Sequence, residues 1–265
     1  MKDFTGRVAW ITGASSGIGE ALVYEMVKRG ARVIASSNCK PELETVRENC
    51  GLLKDRVHIA CFDLSDTDNI AELVKEQLGI TGRVDYLLNI GGISQRASIE
   101  ETPMSLHRKI MEINYFGTIA LTRAVLPYML AQKEGHLLAT SSIAGRFGFP
   151  LRSAYSASKQ ALHGFFETLY LENRHNNIRA SVIIPGRVKT NISRHALLAD
   201  GSEHGKMDPG LEKGISPEAA ARTIIKGIIK NKREIKVGGN ELIMLYIRKY
   251  FPTIFFNIAS KIKPQ

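Results

Sequence analysis

The sequence predicts an α/β fold built as one doubly wound parallel sheet with helices on both faces. Three observations carry that expectation. Strand-length apolar runs alternate with segments of helical period along the 265 residues. The runs are near-continuous Val, Ile, Leu and Ala rather than alternately apolar and polar, as strands buried on both faces are. Each strand-plus-helix unit takes roughly 25–30 residues, the length of a right-handed crossover. No repeat, linker or low-complexity tract interrupts the pattern, so residues 1–265 are expected to form a single domain.

The first strand, Val8 to Ile11, runs into Thr12-Gly13-Ala14-Ser15-Ser16-Gly17-Ile18-Gly19, and a helix follows from Glu20 to Arg29, stopped by Gly30. Glycines permit a tight turn and close backbone approach, and the helix start offers N–H groups and a positive dipole end. Gly13, Ser15, Ser16, Gly17, Ile18 and Gly19 are therefore assigned to a dinucleotide pyrophosphate. The spacing is G-x-x-x-G-x-G rather than G-x-G-x-x-G, but a strand before and a helix after supply the required context. The Gly-Lys-Ser/Thr ending of a nucleoside-triphosphate loop is absent, which argues against ATP or GTP chemistry.

Further strands are expected at Arg32 to Ala35, Val57 to Phe62, Val84 to Leu88, His136 to Thr140, Arg179 to Ile184 and Glu234 to Val237. Thr140-Ser141-Ser142 closes one of them at the carboxyl edge, where open α/β sheets bind ligands. Thirteen residues beyond Ser142 comes Tyr155-Ser156-Ala157-Ser158-Lys159, opening a helix that runs to about Arg174. The i,i+4 spacing puts Tyr155 and Lys159 on one helix face. A neighbouring ammonium favours phenolate, so this tyrosine is expected to exchange a proton with an alcohol or carbonyl. Residues 191–214, rich in Gly, Asp, Ser and His, show no periodicity and are expected to be a structureless substrate lid.

Composition is that of a folded domain, 44% hydrophobic and 23% charged, which excludes disorder, collagen and coiled coil. Cys39, Cys50 and Cys61 are odd in number and lack ligand spacing, so neither a disulfide framework nor a metal site is expected. His175, His195 and His204 read as solvated. Residues 1–12 lack the apolar core of a signal peptide, and a reducing, cytoplasmic location is expected.

Together these residues resemble the classical short-chain dehydrogenases/reductases from about Gly6 to Val237. The resemblance rests on the glycine turn, Asp63-Leu64, Asn114, Ser142, Tyr155-x-x-x-Lys159 and Pro185-Gly186-Arg187-Val188-Lys189-Thr190. It implies a Rossmann fold and a catalytic tetrad. Tyr155 would be the acid/base, with Lys159 lowering its pKa and holding the nicotinamide ribose, Ser142 orienting the substrate oxygen and Asn114 binding a relay water. It also implies that Asp63 with Leu64 meets the adenine, and that Val188 and Thr190, after Pro185 and Gly186, grip the carboxamide. Asn89 and Gly91 would line the crevice. The family's Asn-Asn-Ala-Gly is here Asn89-Ile90-Gly91-Gly92, so adjusted packing is expected there.

The second strand ends in Ser36-Ser37-Asn38-Cys39-Lys40, with no acid to hold a ribose 2′-hydroxyl. Ser37, Asn38 and Lys40 are expected to meet a 2′-phosphate instead, which favours NADP(H) over NAD(H), although the arginine of many such sites is missing.

Asn114-Tyr115-Phe116-Gly117, Leu151-Arg152-Ser153-Ala154-Tyr155, Ala199-Asp200-Gly201-Ser202 and Met207-Asp208 are similar to a membrane-associated "member seven" branch of the family. That branch acts on lipophilic carbonyls or alcohols, so the expected reaction interconverts an apolar ketone and a secondary alcohol. The branch's N-terminal anchor is not expected here. The rivals are a 3-oxoacyl-carrier-protein reductase and a non-catalytic nucleotide-binding sensor or scaffold. A homodimer or homotetramer is expected.

Charge is unevenly placed. Of a net +10, a surplus of eight lies between Arg222 and Gln265, where ten basic residues face Glu234 and Glu241. Within residues 240–265, Pro252 should divide two amphipathic helices, neither long enough to span a bilayer. A nucleic-acid partner is not expected, because the aromatics cluster with aliphatics. Two readings stay open for this tail: helices packed on the domain or on a subunit neighbour, or a patch flanked by Arg248, Lys249, Lys261 and Lys263 that docks on anionic lipid.

Overall fold

The computed structural model describes residues 4–261. Its strands are β1 (Val8–Thr12), β2 (Arg32–Ser37), β3 (Val57–Cys61), β4 (Tyr86–Asn89), β5 (Gly135–Thr140), β6 (Ile178–Pro185) and β7 (Glu234–Val237), all parallel, in the order β3-β2-β1-β4-β5-β6-β7. The helices are α1 (Gly17–Lys28), α2 (Lys40–Glu48), α3 (Ile70–Thr81), α4 (Met104–Met111), α5 (Thr118–Gln132), α6 (Ser153–Asn173), α7 (Pro209–Glu212), α8 (Pro217–Ile229), α9 (Ile243–Tyr250) and α10 (Pro252–Ala259). Each expected strand is present.

Both faces of the sheet are buried, which is why the strands read as unbroken apolar runs. Successive side chains of a strand point to opposite faces. In β1, Ala9 and Ile11 join a core with Leu22 and Met26 of α1 and Ile224 and Ile228 of α8. Val8 and Trp10 join the other core, with Val74 of α3, Val125 of α5 and Phe166 of α6. Trp10 is fully buried and donates its indole N–H to Ser36 Oγ at 2.8 Å. Strand order reverses between β1 and β4, and in such sheets the crevice opens there, beyond the carboxyl ends of the strands.

Two buried histidines stand one behind each face of the β5–β6 pair's surroundings, and their tautomers follow from their partners. Ser181 Oγ donates to Lys232 O at 2.7 Å, so His136 Nε2, 2.7 Å from the same oxygen, must be the donor. Ser141 Oγ likewise donates to Lys159 O, so His163 Nε2 donates to it at 2.8 Å. Both Nδ1 atoms are bare and without a partner. Burial, aided by Arg179 and Arg146, pushes His136 down to about 3 and His163 down to about 4. The unfolded chain takes up these protons near pH 6.5, so in this window it binds more protons than the folded one, and stability falls as pH drops. The expected slope below pH 6.5 is about 1.4 kcal/mol per pH unit for each histidine. Urea midpoints between pH 7 and 5 check it; a flat profile contradicts it.

Residues 191–214 depart from the expected structureless loop. Leu197 forms bridges to Gln95 and Glu203, Leu197 N donates to Ser94 O while Leu197 O accepts from Arg96 N, and α7 adds a helical turn. The tail divides at Phe251 as expected from Pro252. Its inner face packs on the domain, with Phe255 2% exposed and 4.7 Å from Phe147 between ring centroids. Among the described residues no helix is long and apolar enough to cross a membrane. Lys263 lies outside the described residues.

Candidate active site

The glycine turn is shaped by contacts that no side chain could survive. A Cβ on Gly13, whose φ is +61°, would lie 2.7 Å from Gly91 Cα, and one on Gly19 would lie 2.0 Å from Gly13 O. The turn is thereby pressed flat against residues 90–91. Thr12 Oγ1 accepts from both Ile90 N and Gly91 N at 3.1 Å. Ile90 itself packs half-buried on the α1-side core, so the departure from the family's second Asn is absorbed by packing. No side chain caps α1, which leaves its first-turn N–H groups facing the crevice for an anion.

Of the residues expected to hold cofactor, Gly13, Ser15, Ser16, Gly17, Ile18, Gly19, Ser37, Asn38, Asp63, Leu64, Gly91, Pro185, Gly186, Val188 and Thr190 all line one crevice of about 1270 Å³. That exceeds the about 300–1,000 Å³ of a pocket for one small molecule, and leaves room for a dinucleotide beside a substrate. Asp63 is held as a carboxylate below its ordinary range by the backbone and hydroxyl of Ser65, at 2.8 and 2.7 Å.

Two expected cofactor contacts are not in the crevice. Lys40 is exposed at the start of α2 and does not line it. Asn89 is 2% exposed and points into the protein, donating to Thr122 Oγ1 and Leu138 O, both at 3.1 Å. It joins β4, β5 and α5 rather than meeting a ligand.

Ser142, Tyr155 and Lys159 converge in the crevice. Ser142 ends the segment after β5, where its Oγ accepts from Ala144 N at 3.1 Å, and its hydroxyl stands near enough to the Tyr155 phenol to favour the phenolate. Lys159, 3% exposed, donates to Thr140 O at 2.8 Å, and its Nζ lies 5.9 Å from the Tyr155 ring centroid. Burial lowers Lys159 to about 8. Burial also raises Tyr155, opposed by the Ser142 hydroxyl and by the charges of Arg152 and Arg96. The expectation that Lys159 is the cation tuning this phenol is therefore amended: two arginines face it as well.

Asn114 occupies a widened π turn, Glu112–Gly117, between α4 and α5. It is 0% exposed: Oδ1 accepts from Ile93 N at 2.8 Å, while Nδ2 donates to Ile93 O and Ser158 Oγ at 3.0 Å. The side chain thus fixes the 92–93 turn against α6 with both amide hydrogens used, and Oδ1 keeps one lone pair that can accept from a water.

A charged cluster not foreseen in the sequence completes the wall. Asp208, before α7, binds Arg96 in a bidentate pair and accepts from Arg152 Nη2 at 2.8 Å. Arg96 and Asp208 side chains are 3% and 11% exposed. Arg152 stands one helical turn before Tyr155, so the cluster ties residues 191–214 to the catalytic helix. Gln95 Oε1 accepts from Ala154 N at 2.9 Å and anchors the start of α6. Phe147, Phe149, Phe255 and Ile258 are among the apolar residues of the lining. Elsewhere His163, Glu167 and Glu234 lie close enough to share a cation, but Arg146 already engages Glu234.

A phosphate-facing glycine turn that runs on to a buried tyrosine, serine and lysine in one crevice defines an NAD(P)-dependent oxidoreductase. A model of the short chain dehydrogenase family matches residues 7–199, and the chain belongs to that family. It is 38% identical over 261 residues to "Dehydrogenase/reductase SDR family protein 7-like" of Drosophila melanogaster, covering 97% of this chain and 80% of that protein. It is 40% identical over 258 residues to "Dehydrogenase/reductase SDR family member 7B" of Mus musculus, covering 96% and 80%. Among solved structures, a short chain dehydrogenase/reductase from Burkholderia phymatum in complex with NAD aligns with a TM-score of 0.84 at 22% identity, over 100% of this chain and 98% of that one. A short chain dehydrogenase from Burkholderia cenocepacia in complex with NADP aligns with a TM-score of 0.80 at 22% identity, over 97% and 99%. These two likenesses speak for the fold.

Proposed function

We propose that the chain interconverts a lipophilic ketone and a secondary alcohol with NADP(H), using Tyr155 as the acid/base. The observation that carries this reading is the convergence of Tyr155, Ser142 and Lys159 in a crevice also lined by Phe147, Phe149 and Phe255. The cofactor fits the residues present: the Gly13–Gly91 contact leaves a cradle only backbone can line, and a Cβ on Gly17 would crowd Thr190 Cγ2 at 3.0 Å. Gly13 to Gly19 would hold the pyrophosphate, Asp63 and Leu64 the adenine, Lys159 the nicotinamide ribose, and Val188 and Thr190 the carboxamide. When bound, the nicotinamide exchanges a hydride with the carbonyl carbon. Ser142 donates a hydrogen bond to the substrate oxygen, and Tyr155 gives that oxygen its proton on reduction or takes it on oxidation. Lys159 and the two arginines stabilise the phenolate left behind. Residues 191–214 cover the substrate.

A sensor or scaffold of the same fold is disfavoured because Ser142, Tyr155 and Lys159 are all present and adjacent. A 3-oxoacyl thioester shares the keto function, and the aromatic lining favours an apolar ketone over its phosphorylated carrier arm.

The cofactor preference rests on Ser37 and Asn38, which line the crevice with no carboxylate at the end of β2 to repel a 2′-phosphate. The expected ratio of kcat/KM for NADPH over NADH exceeds one, and Ser37→Asp reverses it. A parent enzyme that prefers NADH contradicts the assignment.

A further inference from the structure

The outer face of α9 and α10 is apolar and uncovered. Tyr246, Tyr250, Phe251, Ile254 and Phe256 are each 50–61% exposed, while Phe255 on the inner side holds the pair to the fold. Cations stand over these rings. The Arg248 guanidinium is 5.2 Å from the Phe256 centroid, Lys249 Nζ 5.1 Å from that of Tyr250 and Lys236 Nζ 4.5 Å from that of Tyr246. Both acids of the segment from Arg222 to Gln265 are turned to internal partners: Arg146 engages Glu234, and Glu241 accepts from Arg187 N at 2.7 Å and Gly239 N at 3.1 Å. The face is therefore cationic, with rings and aliphatic tips beside the charges. Aliphatic tips give a nucleic acid nothing to bind, whereas long basic side chains over apolar rings suit the boundary between headgroups and acyl chains.

We propose that the α9–α10 face docks on an anionic lipid bilayer, with its rings at the acyl boundary and Arg248, Lys249 and Lys261 on the lipid phosphates. The same two helices line the crevice through Met244, Phe255 and Ile258. Docking thus sets the crevice mouth against the membrane, and a substrate dissolved in lipid enters without crossing water. That delivery rests on the lipophilic-substrate reading above; the docking does not.

Flotation of the full chain with vesicles of equal parts phosphatidylglycerol and phosphatidylcholine, at low salt and without cofactor or substrate, is the test. The chain is expected to float with these vesicles and not with phosphatidylcholine alone. Arg248→Gln combined with Lys249→Gln is expected to weaken partition about thirtyfold. Ile254→Ser combined with Phe256→Ser, on exposed apolar positions, is expected to abolish it. Both variants should keep the parent's thermal midpoint and its turnover of a water-soluble ketone, since none of the four residues lines the crevice. Truncation after Gly239 is a poorer probe, because it strips Phe255 from Phe147. Failure of the parent to float, or flotation of both variants like the parent, overturns the proposal. So does a dimer in lipid-free solution that Ile254→Ser with Phe256→Ser dissociates, which would assign the face to a second copy. Flotation is read independently of turnover, so loss of the docking and loss of the redox reading are told apart.

Discussion

Tyr155→Phe lowers turnover by about 10²–10⁴-fold while cofactor binding survives. The change removes the phenolic hydroxyl beside Ser142 and leaves the ring, which is 8% exposed. The loss should therefore fall on kcat, with the fluorescence change on adding NADPH retained. Activity within about tenfold of the parent would remove Tyr155 from the chemistry.

The second large effect is expected in stability, from Asp208→Ala. Asp208 is the carboxylate shared by Arg96 and Arg152, and taking it away leaves two guanidiniums facing each other in a nearly closed space. Removing one partner of a buried ion pair costs about 3–5 kcal/mol, a fall of about 6–20 °C in thermal midpoint for a domain of this size. The variant has a catalytic signature as well. Unneutralised arginines favour the phenolate of Tyr155, so the limb of the rate–pH profile that reports this phenol should move to lower pH. Combining Asp208→Met with Arg96→Met should recover part of the lost stability, because an apolar pair avoids the stranded charge. A midpoint unchanged by Asp208→Ala would show that the cluster does not hold residues 191–214 to α6.

These two predictions differ in how far they could be read from sequence. Tyr155 and Lys159 lie four apart on one helix, and Gly13 to Gly19 form one turn, so local spacing was enough. The strands were legible for a similar reason: Val8, Ala9, Trp10 and Ile11 are all apolar because each face of β1 meets a layer of helices. Asp208 and Arg96 are 112 positions apart, and nothing local to either marks the pairing. Asn89 was legible as a site but not in direction. An amide at a strand end reads alike whether it points to a ligand or inward to Leu138 O. Lys40 lies just after Asn38 in sequence, but it starts α2, and its exposed position carries it away from the crevice. Of the tail's two readings, packing on the domain is seen at Phe255, and the outer face of the same helices is uncovered.

The central claim is that this crevice moves a hydride between a nicotinamide and a carbonyl carbon. The most direct measurement incubates the enzyme with NADPH deuterated at C4, on each face in turn, and a panel of apolar ketones, quinones and 3-oxoacyl thioesters. The account predicts deuterium from one face only, found on the carbinol carbon of the alcohol formed from a ketone and transferred about 10²–10⁴-fold more slowly by Tyr155→Phe. NADPH that binds but delivers deuterium to no member of the panel would contradict it.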